Sequence, residues 1–285
     1  MIRRKGIAAF FLLALMLASS AAQAKKPLID PFPLRFPLIE AGTLEIEGHV
    51  VGQPRARDGI VYFVTREGDL TAIVVRSRSI LWRRSVDGAV PDGPGQAGLP
   101  VDAAGPALKV EGAKLRAVGG TDRILWEFAA KGKISAEPVA RDGRVYFGTA
   151  ERMFYCLDAK SGKKVWRRRL QGVPLHTPIV RDGTVAVAAS NSVVYRLSAK
   201  GGSILSWEAI PSRIVYELGA AGSLVLVSSA SSVLTALDLR TGERAGQFEA
   251  SGPLVAGAVW SPPYVIVFVE DPESGRQRMV LLRSR

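Results

Sequence analysis

Few side chains in this 285-residue chain are of the types that perform acid–base or metal chemistry. Its only histidines, His49 and His176, stand far apart in the sequence and form no zinc-binding pattern. The sequence also lacks the Gly-x-Ser-x-Gly motif of a hydrolase nucleophile. A Ser-His-Asp set assembled from distant residues, or another hydrolase or lyase arrangement, stays open. We predict no catalytic residue and interpret both histidines as structural or interaction residues.

The densest acidic group consists of Glu270, Asp271 and Glu273. Carboxylate oxygens are the ligands that calcium prefers, so this group is the candidate for a metal site. Pro272 and Gly275, however, are typical of a tight hairpin turn. We therefore predict a turn here, with no metal ligand and no cofactor-binding residue.

Cys156 is the only cysteine, so the chain forms no intramolecular disulfide. It stands in the apolar run from Met153 to Leu157, which has the composition of a strand. An apolar surrounding makes a thiol inert. We predict that Cys156 is buried and unreactive.

Arginines gather directly after two tryptophans, Trp82 and Trp166. They are Arg83, Arg84, Arg167, Arg168 and Arg169. We predict that they lie at corresponding ends of two structural units and form one basic rim that binds a partner. A solvated surface without function is the alternative interpretation.

The aromatic residues that precede these arginines recur with a period near 40. The evenly spaced series consists of Trp82, Trp126, Trp166, Trp207 and Phe248. Short β-branched runs bounded by Gly, Asp and Ser separate them, which favours strands over helices. A period of this length with four short strands per unit is typical of a β-propeller. We predict that each aromatic side chain packs between adjacent blades.

The repeat predicts an all-β propeller of six four-stranded antiparallel blades, with seven as an alternative, over residues 43–285. The blades span His49–Ser85, Ala97–Phe128, Ile134–Leu170, Pro174–Ile210, Ile214–Glu249 and Pro253–Arg285. The last blade has three strands, and the isolated strand Thr43–Gly48 is free to supply the fourth. Such pairing closes the ring and protects the sheet edges.

The segment from Leu157 to Trp166, LDAKSGKKVW, resembles the repeat of the pyrroloquinoline-quinone (PQQ)-like propellers, which carry Ala-x-Asp-x-x-Thr-Gly-x-x-x-Trp. A second copy is ALDLRTG, from Ala236 to Gly242. The resemblance covers most of the chain after Ala24. It implies a propeller fold, while a fold alone does not define a function.

The resemblance implies two candidate functions. PQQ-dependent dehydrogenases of this family bind the quinone and calcium near the propeller axis, often beside a vicinal disulfide, which one cysteine cannot form. The exported BamB-like propellers of outer-membrane assembly instead act as scaffolds. We therefore expect a non-catalytic, monomeric envelope scaffold that binds proteins, outer-membrane assembly components among them, and no nucleic acid. A propeller that binds a glycan or small ligand stays open as an alternative.

The N-terminus predicts export. Arg3, Arg4 and Lys5 precede the apolar run Ile7–Ala18, and Ala22-Gln23-Ala24 has the form of a cleavage site. Cleavage after Ala24 would leave a periplasmic or secreted chain without a transmembrane helix; an uncleaved anchor is the alternative. Its net charge would fall from +12 to +9, which suits anionic lipid, lipopolysaccharide or an acidic protein.

Two further segments are irregular. Residues 25–42 hold Pro27, Pro31, Pro33 and Pro37, so we predict an extended arm. Three interpretations of this arm stay open: it packs on its own propeller, it docks on a partner, or it is disordered. Gly88–Gly95 is predicted to be a protruding, mobile loop.

Overall fold

The computed structural model of the chain describes residues 33–85, 107–120 and 123–285. The strands in these ranges form six antiparallel sheets, five with four strands and one with three. This confirms the predicted all-β propeller, and each sheet is one blade. The predicted signal peptide and the loop Gly88–Gly95 lie outside the described residues.

The strands run in chain order from the centre of each blade outward, and the last blade takes its outer strand from the N-terminus. Blade 1 consists of β2 (Val50–Arg57), β3 (Ile60–Thr65), β4 (Asp69–Val74) and β5 (Ser79–Ser85). Blade 2 contains β6 (Ala107–Glu111), β7 (Lys114–Val118) and β8 (Ile124–Ala129). Blade 3 consists of β9 (Val139–Arg141), β10 (Arg144–Gly148), β11 (Met153–Asp158) and β12 (Lys164–Arg169).

Blades 4 to 6 repeat the arrangement of blade 3. Blade 4 consists of β13 (Ile179–Arg181), β14 (Thr184–Ala189), β15 (Val193–Ser198) and β16 (Ile204–Ala209). Blade 5 consists of β17 (Gly219–Ala221), β18 (Leu224–Ser228), β19 (Val233–Asp238) and β20 (Arg244–Glu249). Blade 6 consists of β21 (Val259–Ser261), β22 (Tyr264–Glu270), β23 (Gln277–Ser284) and β1 (Leu38–Ile46).

Blade 2 has the second, third and fourth strands of the repeat. Trp126 of β8 pairs with Ala117 of β7, as Trp166 of β12 pairs with Cys156 of β11. Three of the four strands predicted for this blade are therefore confirmed. An innermost strand would fall in 86–106, which lies outside the described residues.

The N-terminal strand closes the ring, as predicted. β1 pairs with β23, from Leu38 opposite Ser284 to Ile46 opposite Gln277. The strand begins at Leu38 instead of Thr43, because the alternation of inward and outward side chains continues past a bulge between Glu40 and Gly42. Residues 38–42, predicted to belong to the arm, are thus part of the sheet.

The core consists of layers between neighbouring blades. One layer joins blades 6 and 1, and includes Phe63, Phe268 and Met279, none more than 2 % exposed. Others join blades 2 and 3, 3 and 4, 4 and 5, and 5 and 6. Burial of apolar side chains from both neighbours in each layer holds the ring together.

The turn before each outer strand explains the motif of the repeat. Oδ1 of Asp158 accepts hydrogen bonds from the N–H and hydroxyl of Ser161, at 2.8 and 2.7 Å. Gly162 has a φ of +67°, and a Cβ there would lie 2.6 Å from the ring of Trp126. Glycine is required at this position both for its backbone conformation and for contact between blades.

Candidate functional site

The path of the strands divides the propeller surface into two faces. The turns from the first to the second strand and from the third to the fourth lie at the same end of blades 1, 3, 4 and 5, which we call the turn face. Blades 2 and 6 each have one of these two turns in the described residues. The connections between blades lie at the opposite end, the loop face. In the described residues, the loop face contains 130–138, 170–178, 210–218 and 250–258.

Four successive connections on the loop face are linked by three bonds of the same kind. Each bond is accepted by a backbone carbonyl oxygen at an equivalent position of the repeat. The accepting residues are Pro174, Ile214 and Leu254. The donors are Ser135, His176 and Tyr216 of the preceding connections, and the Tyr216 hydroxyl lies 2.9 Å from the Leu254 oxygen. This bonding fixes the loops relative to one another across blades 3 to 6. Burial raises the pKa of Tyr216, so the hydroxyl keeps its proton at neutral pH.

His176 and Glu217 form the centre of this arrangement. Nε2 of His176 lies 3.2 Å from the carbonyl oxygen of Ile214, and Nδ1 lies 3.7 Å from Oε1 of Glu217. Oε2 of Glu217 accepts the backbone N–H of Thr177 at 2.7 Å. Because a carbonyl oxygen can only accept a hydrogen bond, Nε2 of His176 carries the proton in the bond to Ile214. The pair joins blades 4 and 5, which agrees with the structural interpretation of His176.

Beside this pair, a depression of about 480 Å³ opens on the loop face. It is lined by Leu175, His176, Ser190, Arg213, Ile214 and Val215. The side chains of Leu175 and Val215 are 41 % and 36 % exposed, although both are aliphatic. Apolar side chains held in water on a fixed surface are typical of a site that binds a protein.

The sequence pattern does not predict this depression. Leu175 and Val215 occupy equivalent positions in successive repeats, and that spacing was the available signal. In a repeat protein, aliphatic residues at equivalent positions are generally interpreted as core. Their exposure depends on the path of the loops, which periodicity does not give.

The predicted arginines lie on the outer strands of blades 1 and 3. Arg83 forms an ion pair with Glu47, and the guanidinium carbon of Arg84 lies 5.1 Å from the centre of the Trp82 ring. The ion pair lowers the pKa of Glu47 through its hydrogen bond with Arg83. Both side chains therefore have partners, Arg83 in Glu47 directly after β1 and Arg84 in Trp82 of blade 1.

The arginines of blade 3 differ in their contacts. Nε of Arg168 donates to the carbonyl of Gly202 at 2.6 Å and so joins blade 3 to blade 4. Arg167 and Arg169 are exposed. In blade 2 the positions equivalent to Arg167 and Arg168 hold Glu127 and Phe128. The structure thus places an acidic residue between the two arginine groups, at a position of the predicted rim.

Trp126 and Trp166 occupy one recurring slot at the middle of the outer strand, and both are 8 % exposed. Their indole N–H groups donate to the carbonyls of Ala159 and Ala199, at 2.8 and 2.9 Å. The acceptor belongs to the next blade in each case. Trp82 occupies the same slot in blade 1 and is partly buried.

Trp207 and Phe248 do not occupy this slot, and the predicted packing of Trp207 between blades is wrong. The pairing places Ser206 opposite Arg196 and Gly246 opposite Ala236, as Trp166 is opposite Cys156. Trp207 is displaced by one position and is 63 % exposed. Phe248 is displaced by two positions and is partly buried against the layer between blades 5 and 6.

The guanidinium of Arg196 replaces the missing indole between blades 4 and 5. Its Nε and Nη2 donate to the carbonyls of Leu239 and Arg240. Leu239 is the repeat equivalent of Ala159 and Ala199. The bond to the next blade is thus made by a side chain of the third strand, opposite the slot residue Ser206.

The acidic group near the C-terminus is a turn. Oδ1 of Asp271 accepts the N–H groups of Glu273 and Ser274 and the hydroxyl of Ser274. These bonds, the Ser274 ones above all, lower the pKa of Asp271. Within the described residues, no three His, Cys, Asp or Glu side chains lie close enough together to bind a metal ion. Nor does any helix in those ranges have the length and apolar character to cross a membrane.

His49 lies at the start of blade 1, on the loop face. Its Nδ1 is 2.8 Å from Oε1 of Glu67, and its backbone N–H donates to Oε2 at 2.9 Å. The two bonds lower the pKa of Glu67 to about 2. His49 thus fixes the turn between β3 and β4.

Comparison with known proteins agrees with the class that the fold defines, a PQQ-like repeat propeller. Residues 111–263 match the family model described as outer membrane protein assembly factor BamB. The match covers more than half of the chain, from the end of β6 to the turn after β21. The chain belongs to this family. No curated protein sequence matches it.

Two solved structures are similar to the chain. The crystal structure of BamB from Moraxella catarrhalis has 14 % sequence identity and a TM-score of 0.49, over 87 % of this chain and 100 % of that one. The computationally designed Ika8 protein has 15 % identity and a TM-score of 0.50, over 81 % of this chain and 70 % of that one. At such identities, similarity to Ika8 concerns the fold alone.

Proposed function

We propose that the chain is an exported, non-catalytic scaffold of the cell envelope that binds a protein partner on its loop face. Membership in the BamB family supports a role in the assembly of outer-membrane proteins. The observation that carries the proposal is the depression with exposed Leu175 and Val215 on a surface fixed by bonds between blades.

Rigidity of the loop face favours binding. Loops that are already ordered lose little conformational freedom when a partner docks, so more of the contact energy contributes to affinity. The bonds from His176 to Ile214 and from Tyr216 to Leu254 order the loops of blades 4 to 6 in this way. Exposed Leu175 and Val215 then supply apolar area at the centre of the contact.

The composition of the depression defines the partner's chemistry. Leu175 and Val215 suit an apolar side chain, while Arg213 suits a carboxylate beside it. We expect a segment with an aliphatic or aromatic residue next to Asp or Glu. Contact through a few central residues with a polar rim is the usual arrangement of such interfaces.

Capture of partners from the cell envelope tests the proposal. The tagged protein and its Leu175→Asp/Val215→Asp variant are crosslinked in the cells that produce them, and captured proteins are identified by mass spectrometry. We expect the wild type to capture outer-membrane assembly components and the variant to capture at least tenfold less. An Ile39→Asp variant, altered at an exposed aliphatic residue of β1 in blade 6, is the matched control and should capture as the wild type does. Equal capture by all three proteins would contradict the proposal.

The arginines of blade 3 are a second candidate for partner contact. Arg167 and Arg169 are exposed, whereas Arg168 is bonded to Gly202. We propose that Arg167→Glu/Arg169→Glu weakens capture of an acidic partner without altering the melting temperature. Arg168→Glu would also remove a bond between blades, so it is not a clean test. Capture unchanged by the first pair would assign these arginines to solvated surface.

A further inference from the structure

The outer strands of blades 1 to 4 begin with exposed aliphatic side chains. One aliphatic residue in each blade precedes the slot residue by one position. These are Leu81 (51 % exposed), Leu125 (54 %), Val165 (41 %) and Leu205 (47 %). Ile80, Ile124 and Ile204, one position earlier, are 50 %, 53 % and 42 % exposed. The equivalent residues of blades 5 and 6 are Ala245 and Ala41. The apolar character is therefore confined to four consecutive blades.

These side chains lie near one plane. In blades 1 to 5 each outer strand begins at the turn from the third strand, so the first residues of these outer strands are at the turn face. The same fold repeats in each blade, which gives the aliphatic residues equivalent heights on that face. The exposed apolar residues of four blades thus lie at the same end of the molecule.

Basic residues accompany the aliphatic ones. Arg76, Arg123, Lys160, Lys163 and Lys200 stand in the turns just before these strands, and all are exposed. Within the part of the chain that the structure describes, none of these lysines forms an ion pair. Their positive charge is therefore not compensated by a neighbouring carboxylate.

Acidic residues on the turn face do not cancel this charge. Asp58, Asp142 and Asp182 lie in the turns nearest the axis, and each directly follows an arginine. Asp158 lies in an outer turn, where its carboxylate accepts two hydrogen bonds from Ser161. Among the described residues, the outer part of the turn face in blades 1 to 4 is consequently mainly apolar and basic. Asp122, which precedes Arg123 in the sequence, lies outside the described residues.

We infer that the turn face of blades 1 to 4 docks on an anionic phospholipid bilayer. Aliphatic side chains enter the boundary between headgroups and acyl chains, while adjacent lysines and arginines contact the phosphates. A bilayer offers the same chemistry at every point of a plane, which suits four equal sites on successive blades. An acidic protein would instead require one localised complementary surface.

The orientation leaves the loop face free. Because the two faces lie at opposite ends of the blades, docking through the turn face directs Leu175 and Val215 away from the membrane. The inference therefore does not depend on the proposed protein partner, although both contacts are compatible in one molecule.

Flotation with lipid vesicles tests the inference. The protein is purified from cells that express and process the full chain. It is then mixed with vesicles of phosphatidylcholine alone, or of two parts phosphatidylcholine to one part of the anionic phosphatidylglycerol. We expect at least tenfold tighter binding to the anionic vesicles, and weaker binding as salt rises, because salt screens exposed charges. No binding to anionic vesicles, or equal binding to both kinds, would overturn the inference.

Three variants locate the contact. Two triple variants of the turn face should each weaken binding to anionic vesicles at least tenfold. One is Leu81→Ser/Leu125→Ser/Leu205→Ser, and the other is Lys160→Gln/Lys163→Gln/Lys164→Gln. All six side chains are exposed, so thermal melting should stay as in the wild type. The Leu175→Ser/Val215→Ser variant, altered on the loop face, should bind as the wild type does. Binding that survives both turn-face variants, as an N-terminal anchor would give, overturns the inference.

Discussion

Phe36 lies against the backbone of Gly246, so that a Cβ on the glycine would be only 2.3 Å from Cγ of the phenylalanine. Gly246 occupies the slot that contains tryptophan in blades 2 and 3. The aromatic ring missing from blade 5 is thus supplied from the N-terminal segment. Leu34 and Phe36 pack on the layer between blades 5 and 6, so this part of the predicted arm packs on its own propeller.

The contact predicts that Phe36→Ala destabilises the protein. Loss of a partly buried ring leaves a gap between blades 5 and 6, and we expect the free energy of unfolding to fall by about 1–3 kcal/mol. Urea denaturation measures the change. Arg35→Ala is the control, since its exposed side chain should contribute less than about 0.5 kcal/mol.

A double-mutant cycle isolates the contact between the two residues. Gly246→Ala places a methyl group where Phe36 lies, so the single substitution should displace the ring and destabilise the protein. In the Phe36→Ala background the methyl group has room, and Gly246→Ala should then be almost neutral. Additive effects of the two substitutions would show that the ring does not occupy this position.

Trp166 and Trp207 should differ sharply in their contribution to stability. A tryptophan buries about 150–250 Å², which corresponds to about 4–6 kcal/mol. Trp166 is 8 % exposed and bonded to Ala199, so Trp166→Ala should cost about 3–5 kcal/mol. Trp207 is 63 % exposed, and Trp207→Ala should cost less than about 1 kcal/mol. Equal shifts of the urea midpoint would contradict this assignment.

The same pair shows how much of the fold the sequence predicts. The number of blades and closure by the N-terminal strand follow from apolar runs, Asp-Gly turns and a period near 40. The sequence does not predict which residue occupies the slot of each blade. A spacing between aromatic residues that is one position longer or shorter fits a period near 40 equally well. A shift of one position in a strand moves a side chain to the other face, as happened at Trp207. Replacement of the indole by Arg196 depends on contacts between blades, which a local pattern does not contain.

The loop face was predictable only in part. A structural role for His176 agrees with its bond to Ile214. Exposure of Leu175 and Val215 was not predicted, because aliphatic residues at repeat positions resemble core residues. The arginines after Trp82 and Trp166 were recognised from composition, whereas Glu127 at the equivalent position of blade 2 breaks the pattern.

Cys156 should be unreactive in the native protein. The thiol is fully buried, and burial raises its pKa to about 11, so the reactive thiolate is scarce at neutral pH. We expect reaction with a disulfide reagent at pH 8 to be at least a hundredfold slower than in the protein unfolded by guanidinium. The absorbance of the released thiol measures both rates. Similar rates in the two states would show that the thiol is accessible.

Acid should weaken the turn that Glu67 anchors. The carboxylate accepts hydrogen bonds from His49, which hold its pKa at about 2, below the value of about 4.5 for an unperturbed glutamate. A group whose pKa is lowered by folding stabilises the protein above its unfolded pKa. That contribution is therefore present above about pH 4.5 and is lost as the pH falls toward 2.

Comparison with Glu67→Gln tests this pH dependence, since glutamine cannot ionise. The variant should be less stable than the wild type at pH 6, and the difference between them should shrink as the pH falls from 4.5 to 2. Urea midpoints at pH 6, 4 and 2.5 measure it, with exposed Glu249→Gln as the matched control. A difference that stays constant over this range would mean that ionisation of Glu67 does not stabilise the turn, and that its contacts with His49 are those of a neutral hydrogen bond.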